Sequence, residues 1–347
     1  SDGRPVDREL PELGPGWYEV RMRALGDGEV IAQSVGSILV VHDRPRHRDR
    51  SGPHFGYSFQ DWSTSELSSL QRFLEVLDPG VVEFSMWPVG NDDAPVEHAI
   101  APMQQLLESQ RSSRREVLFA LDRVHASIAK KIDVEPSEIA VVFNADASTW
   151  MPEVERWLLA FGGSVDQWRI ASPDEGTAIK AIPSTLENLV NELVVEPSLA
   201  IPVGIESPCS GAWPYLVAGP EHDAGVIEAV LTAEDSGSVK GITVLMESPS
   251  SGWSRRDRVQ EMSHRLISAW KNGAKQILSS VPKVGSGIDA TSLAWACLGN
   301  ALSSRRLKGE LYVSNFATCL IADGDAGLLV IAYANGVDRT ETIELPL

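Results

Sequence analysis

Acidic residues stand at or near the ends of three apolar segments of the sequence. They are Glu247 in GITVLMES (241–248), Glu206 in LAIPVGIES (199–207), and Asp174 and Glu175 in VDQWRIASPDE (165–175). Two carboxyl groups that face each other can divide one reaction between them, one as the nucleophile or base and the other as the proton donor. These residues are therefore candidates for a catalytic pair, provided that the fold brings their segments together.

Tryptophans and further polar residues follow apolar segments in the same way. The tryptophans are Trp62, Trp87, Trp213 and Trp253, and the polar residues include Gln60, Asp61, Asp122, Arg123, Asn144 and Asp146. An indole ring stacks on the apolar face of a sugar ring, so the tryptophans, together with Asp61 and Asp122, would suit a carbohydrate-binding cleft. The alternative is that each tryptophan caps the protein core or packs against a neighbouring β-module.

The sequence predicts neither a metal site nor a cofactor. Its 7 histidines are scattered, and no HExxH, HxH or closely spaced cysteine pair is present. These are the spacings that usually mark a zinc site. No glycine-rich phosphate loop follows the first strand-like segment of the main region.

Composition restricts the partners. The net charge of −18 at pH 7 opposes binding to nucleic acid and to anionic lipid. No segment approaches the ~20 consecutive apolar residues that cross a bilayer, so we expect no membrane insertion. The first residues include neither a start methionine nor an apolar signal region, which indicates a mature or excised piece.

From Phe55 onward the chain alternates short apolar segments with amphipathic helical patterns. Eight strand-like segments begin near residues 55, 81, 116, 165, 199, 212, 241 and 274. Ser63 and Glu66 form a capping box at the start of the first helix, and Ser254 is the predicted N-cap of a later one. Eight such units in about 230 residues predict a TIM (β/α)8 barrel, in which the carboxyl ends of all strands meet at one mouth. An open doubly wound sheet is the alternative.

Segments in which apolar and polar residues alternate, as they do in β-strands, flank this region. Near the N-terminus, residues 17–24 alternate before a GDG turn (26–28) and Ser37–Val41 form a second run, which indicates two or three strands; LYVSNFATCLIAD, GLLVIAYAN and TETIELPL close the sequence. We expect these N- and C-terminal strands to form a β-sandwich-like module that flanks the barrel. The predicted domains are 1–45, N-terminal β-strands; 46–54, a linker; 55–286, the barrel; and 287–347, a helix plus the C-terminal β-module.

Two segments of the predicted barrel resemble clan A glycoside hydrolases. Residues 241–282, from GITVLMES to AKQILSSVP, are similar to the seventh and eighth strands of those barrels, with an arginine-containing helix between them. VDQWRIAS resembles the fourth strand, where the clan typically has W-Q-x-G-N-E. The resemblance implies a barrel with an accessory β-domain, a carbohydrate as substrate or ligand, and Glu247 as the catalytic nucleophile.

The fourth strand departs from the clan's pattern at the position that matters for catalysis. Trp168 and Ile170 match the frame, but Ala171 replaces glycine and Ser172 replaces asparagine. Pro173 occupies the position of the acid/base glutamate. The strand therefore supports the fold more strongly than it supports the reaction.

The catalytic partner of Glu247, which must supply the second carboxyl group, therefore has more than one candidate. Retaining glycosidases need their two carboxyl groups ~5–5.5 Å apart, and inverting ones need them ~6.5–9.5 Å apart. Asp174 or Glu175 would serve as a displaced acid/base partner of Glu247, and Glu206 is the alternative if both face solvent.

Three functional hypotheses follow. The first is a glycoside hydrolase-like barrel that acts on a poly- or oligosaccharide through two carboxylates. The second is a catalytically inactive barrel that serves as a carbohydrate-binding or structural module of a larger surface or secreted protein. It implies a secreted, periplasmic or cell-surface location, with other domains of a longer chain as partners. The third is a barrel enzyme of unrelated chemistry.

Overall fold

The computed structural model describes residues 16–26, 29–40, 54–89, 97–170, 183–194, 199–205, 214–234, 241–249, 252–281, 288–303, 305–314, 317–324 and 327–334. The chain divides into two compact units, Ser1–His47 and Arg48–Leu347. The finer domain boundaries given above remain predictions.

The first unit contains an antiparallel hairpin. Its strands are β1 (Gly16–Gly26) and β2 (Glu29–Val40), and their register runs from Gly16 opposite Val40 to Gly26 opposite Glu29. The register shifts between Ala24 and Leu25. The hairpin predicted around GDG is thus confirmed, but β2 begins at Glu29, well before the predicted run of Ser37–Val41. The association of this hairpin with the C-terminal strands remains a prediction.

A nine-segment parallel sheet lies in the second unit. Its strands are β3 (His54–Phe59), β4 (Val81–Ser85), β5 (Glu116–Leu121), β6 (Gln167–Ile170), β7 (Leu199–Ala200), β8 (Pro202–Gly204), β9 (Tyr215–Ala218), β10 (Thr243–Met246) and β11 (Gln276–Ser280). The order is β7-β6-β5-β4-β3-β11-β10-β9-β8, and β11 pairs with β3. Because only Ile201 separates β7 from β8, these segments are two parts of one strand, and the sheet is an eight-stranded barrel. The predicted (β/α)8 barrel is confirmed.

Helices lie between most strands where the sequence predicts them, but the segment Ile139–Asn144 was not predicted as a helix, and no helix is described between β8 and β9. The helices are α1 (Leu67–Leu77), α2 (Glu97–Ser112), α3 (Ala126–Ile132), α4 (Ile139–Asn144), α5 (Ala147–Phe161), α6 (Ser184–Leu193), α7 (Ala224–Glu234), α8 (Arg255–Lys271) and α9 (Ala290–Leu302). The capping box of Ser63 and Glu66 is present before α1, and the Ser254 hydroxyl caps α8. Gly273 follows α8 with φ +82, a left-handed conformation that glycine adopts without strain.

A separate three-stranded antiparallel sheet follows α9. It consists of β12 (Arg305–Ser314), β13 (Ala317–Gly324) and β14 (Leu329–Ala334). LYVSNFATCLIAD therefore contributes to two strands, because β12 ends at Ser314 and β13 begins at Ala317. TETIELPL lies outside the described residues. Lys271 of α8 lies 2.9 Å from Glu310 of β12 and 3.1 Å from Glu228 of α7, so an ion-pair network joins this sheet to the barrel helices.

The barrel interior is filled by side chains from strands on all sides. Buried residues that pack together there are Val81, Leu118, Ala200, Tyr215, Val217, Leu245 and Leu278. Successive side chains of a strand point to opposite faces, so residues two apart from these also face inward. This alternation determines which polar side chains enter the barrel and which of them lie at its mouth.

Polar residues close the amino-terminal end of the barrel, opposite the mouth. Glu116 Oε2 lies 2.8 Å from His54 Nδ1 and accepts a hydrogen bond from Gln276 Nε2 at 2.8 Å. Burial alone would raise the pKa of the Glu116 carboxyl, but the hydrogen bond and charge of His54, aided by Gln276 and Lys275, lower it below its usual value.

Glu116→Gln should therefore remove a pH-dependent part of the stability. A carboxyl whose folded pKa is lowered contributes stability that is fully present above its unfolded pKa and lost as the pH falls through the folded pKa. We expect the stability difference between wild type and variant, measured by urea unfolding from about pH 7 to pH 3, to shrink toward the acid end. Glu155→Gln, at an exposed position of α5, is the control. A difference that stays constant or grows on acidification would contradict the prediction.

Candidate active site

Glu247 enters the barrel mouth as an extension of β10. Its backbone N–H donates to Ala218 O at 2.9 Å, just as Thr243 N donates to Pro214 O at 2.9 Å, so the parallel ladder continues one residue past the strand. Leu245 belongs to the interior cluster, and strand alternation therefore places Glu247 on the inward face directly above it. The Glu247 side chain is half-buried.

A buried arginine holds the backbone around Glu247. Arg265 of α8 donates to Glu247 O at 3.1 Å, to Gly219 O at 3.3 Å and to Pro220 O at 2.9 Å. These carbonyls follow β9 and β10, so one side chain joins the carboxyl ends of two adjacent strands. The Glu247 main chain is consequently fixed at both its N–H and its C=O.

Asp122 occupies the same kind of position after β5. Leu118 lies in the interior cluster, so alternation places Ala120 and Asp122 on the inward face. Ser85 Oγ donates to Asp122 Oδ1 at 2.6 Å, and Arg169 lies 3.7 Å from Oδ2. Burial raises the pKa of the Asp122 carboxyl above its usual range, although Arg169 and Arg123 act to lower it.

A more exposed ion pair lies beside Asp122. Arg123 Nη2 is 2.9 Å from Asp61 Oδ1, and the two side chains are 24% and 52% exposed. The pair links the loops that follow the first and third barrel strands. Because both groups reach solvent, the pair adds little to stability, and its polar atoms remain accessible from the mouth.

The predicted tryptophans differ in exposure. Trp62 is 0% exposed and its indole N–H donates to Ser85 O at 2.7 Å. Trp87 is 1% exposed and packs against Trp157, with ring centroids 4.9 Å apart. Both therefore match the alternative in which tryptophans cap the core. Trp253, in the turn before α8, is 46% exposed and offers an accessible ring.

A buried charged network lies beneath the mouth, and the sequence analysis missed it. Glu83 of β4 and Arg169 of β6 form two hydrogen bonds, Nε to Oε2 at 3.2 Å and Nη2 to Oε1 at 3.0 Å. Ser58 Oγ donates to Glu83 Oε1 at 2.6 Å, and the Tyr215 hydroxyl donates to Oε2 at 2.8 Å. A single ionisable residue inside VVEFS and another inside QWRI were the signals that could have revealed this pair, since lone buried charges require partners.

The remaining predicted residues either lie outside the described residues or do not lie at the mouth. Asp174, Glu175, Glu206 and Trp213 lie outside the described residues. Asn144 and Asp146 do not follow a barrel strand: Asn144 ends α4, where its side chain donates to Ala140 O, and the Asp146 carboxylate caps α5. The apolar run before them is helical, and this placement at the mouth was wrong.

The described part of the chain contains neither a candidate metal cluster nor a membrane-spanning helix. No cluster of three or more histidine, cysteine, aspartate or glutamate side chains is arranged to hold a metal ion there. None of the helices described has both the length and the apolar character to cross a membrane.

The chain resembles solved structures in fold but not in sequence. No protein-family model and no curated protein sequence matches it. The virulence factor SghA from Agrobacterium tumefaciens is 8% identical, with a TM-score of 0.50 over 74% of this chain and 98% of that chain. SghA with its substrate analog salicin gives 7% identity, a TM-score of 0.50, and coverages of 74% and 97%. SrfJ from Salmonella typhimurium is 10% identical over 91% of this chain and 92% of its own, with a TM-score of 0.47.

The comparison with SghA extends over nearly the whole of that protein. At such low identity it shows a shared fold and nothing finer. The comparison supports the barrel fold that the sequence predicts.

Proposed function

We propose that the protein is a glycoside hydrolase-like barrel that acts on a poly- or oligosaccharide at its mouth, with Glu247 as the nucleophile. The observation that carries the proposal is the continuation of the β10 ladder through Glu247, which aims a half-buried carboxylate into the barrel mouth. A carboxylate in this position is suited to attack a sugar carbon held above the barrel axis.

Other described groups around the mouth suit a ligand rich in hydroxyl groups. Gln60 Nε2, after β3, is buried without a hydrogen-bond partner among the described residues, and a sugar hydroxyl would satisfy it. The Asp61–Arg123 pair supplies further donors and acceptors. Trp253 provides an exposed ring for stacking. SghA, which shares the fold, has been solved with a substrate analog, salicin, and aryl glycosides are therefore sensible first probes.

The proton donor is assigned by the same proposal to Asp174 or Glu175, with Glu206 as the alternative. In the sequence, Asp174 and Glu175 come after β6 and Glu206 comes after β8, two strands whose carboxyl ends lie at the mouth. Asp122 takes a supporting role, because Ser85 and Arg169 already engage its carboxyl group.

Glu247→Gln is the direct test. The amide keeps the size of the side chain but cannot form the glycosyl ester, so we expect kcat on aryl glycosides to fall at least about 100-fold. Turnover is measured by release of the coloured phenol from a panel of nitrophenyl glycosides, with wild type and variant prepared identically.

The matched control is Glu192→Gln, the same substitution at an exposed position of α6. It should retain wild-type turnover, and both variants should keep the wild-type unfolding midpoint. Equal rates for wild type and Glu247→Gln would exclude this carboxylate as the nucleophile.

A second candidate function is carbohydrate binding without hydrolysis. It is favoured by Pro173, which occupies the position at which the related barrels carry their acid/base glutamate. Under this alternative, no nitrophenyl glycoside is hydrolysed by the wild type, while an oligosaccharide array or calorimetric titration still detects binding. Absence of both turnover and binding would overturn the carbohydrate proposal as a whole.

A further inference from the structure

Arg265 is an unusual feature of the helix that follows Glu247. Its side chain is 1% exposed, although it lies on α8 among residues that cover the barrel. Its Nε contacts Glu261 Oε1 at 3.1 Å, one turn earlier on the same helix. Burying a guanidinium is costly unless its donors are satisfied, and here all three nitrogens have partners.

The carbonyl partners of its two terminal nitrogens lie at the carboxyl ends of two barrel strands. Nη1 donates to Gly219 O and Glu247 O, and Nη2 donates to Pro220 O. A planar guanidinium holds several acceptors in a fixed geometry, which a lysine ammonium on a flexible stem cannot reproduce. The residue therefore determines where the main chain of Glu247 lies relative to the neighbouring strand.

We propose that Arg265 is a positioning residue for Glu247: it fixes the main chain at the end of β10 so that the carboxylate points into the mouth. This inference rests on the proposed function for the role of Glu247 in turnover. Its structural part, the restraint on the Glu247 main chain, can be tested independently.

The competing explanation is that Arg265 only satisfies loop carbonyls and stabilises the fold. Arg115 offers a matched control at the opposite end of the barrel. It is buried, precedes β5, donates to Leu74 O at 3.0 Å and Pro79 O at 3.2 Å, and pairs with Asp78. Arg115→Met therefore removes a buried, carbonyl-binding guanidinium without touching the mouth.

The kinetic test compares Arg265→Met, Arg265→Lys and Arg115→Met at a temperature where all three are folded. Misplacing a reacting group by about 1 Å can cost about 100-fold in rate. We expect Arg265→Met to lower kcat by about that factor with KM changed less than about threefold.

Arg265→Lys should recover part of the loss in kcat, since it keeps the charge but not the fork of donors. Arg115→Met should keep kcat while lowering the unfolding midpoint. Equal losses of kcat in the two methionine variants, or an unchanged kcat in Arg265→Met, would overturn the proposal.

Hydrogen exchange gives an answer even if the wild type hydrolyses no glycoside. The Glu247 N–H is bonded to Ala218 O, so its exchange reports how firmly this main chain is held. Mass spectrometry of the peptide that contains Glu247 should show at least about tenfold faster exchange in Arg265→Met than in Arg115→Met. Equal exchange in both would reject the positioning role, whereas absent turnover with faster exchange would reject only the hydrolase.

Discussion

Replacing Glu83 by glutamine is expected to lower the free energy of unfolding by about 3–5 kcal/mol. Glu83 is 0% exposed and Arg169 is 1% exposed, so the substitution leaves a buried guanidinium with only the more distant Asp122 carboxyl group, at 3.7 Å, as a counter-charge. The glutamine amide can accept from Ser58 or Tyr215, but it cannot neutralise Arg169. Thermal and urea unfolding should show the loss, with a melting temperature lower by roughly 6–20 °C.

A double substitution separates the cost of a lone charge from the value of the pair. Glu83→Gln combined with Arg169→Met removes both charges, and we expect it to be more stable than Glu83→Gln alone. The exposed pair of Glu153 and Arg156 on α5, 3.0 Å apart, is the control, because Glu153→Gln should change stability by less than about 0.5 kcal/mol. A Glu83→Gln variant within about 1 kcal/mol of wild type would contradict the expectation.

Gly56→Ala is the second substitution that we expect to lower the free energy of unfolding strongly. A Cβ at this position of β3 would lie 1.8 Å from Val81 O and 2.6 Å from Val81 C and Cγ1. Gly56 and Val81 are partners in the ladder between β3 and β4, so the added methyl group forces two barrel strands apart. Overpacking against rigid backbone should cost at least about 3 kcal/mol, measured by urea unfolding at equilibrium.

The barrel also contains the matched control for this substitution. Gly204 lies in β8, and a Cβ there meets nothing within 4 Å. Gly204→Ala should be neutral or slightly stabilising, because alanine loses less backbone entropy on folding. Similar destabilisation by both variants would show that strand propensity, and not the contact with Val81, sets the effect.

The fold could be predicted from local patterns to a large extent. Most barrel strands are apolar runs bounded by turn residues, and among the described residues a helix follows each strand except the fifth; α1, with buried Leu67, Leu70 and Leu74, shows the apolar face of such a helix. Local patterns were less informative where helix and strand have similar composition. IAVVFN is apolar and β-branched, yet it forms α4, because tertiary packing overrides the weak propensity of a short segment.

The candidate site was less predictable because it depends on residues that are distant in sequence. The end of β10 identified Glu247, but nothing local distinguishes an exposed tryptophan at a strand end from one that caps the core. Trp87 is covered by Trp157, 70 positions later, and Glu83 finds Arg169 86 positions later. Such pairs become visible only when the strand order is known.

Because the fifth strand is divided at Ile201, the number of paired residues between neighbouring strands varies around the barrel. β7 joins β6 through two residue pairs, and β8 joins β9 through three, whereas β10 has four pairs on each side. Partial opening of a closed sheet begins where the fewest hydrogen bonds must break, so the joint between the fourth and fifth strands is the barrel's weakest seam. We therefore expect the mouth to widen first at this seam, and not beside β10, which has four residue pairs on each side.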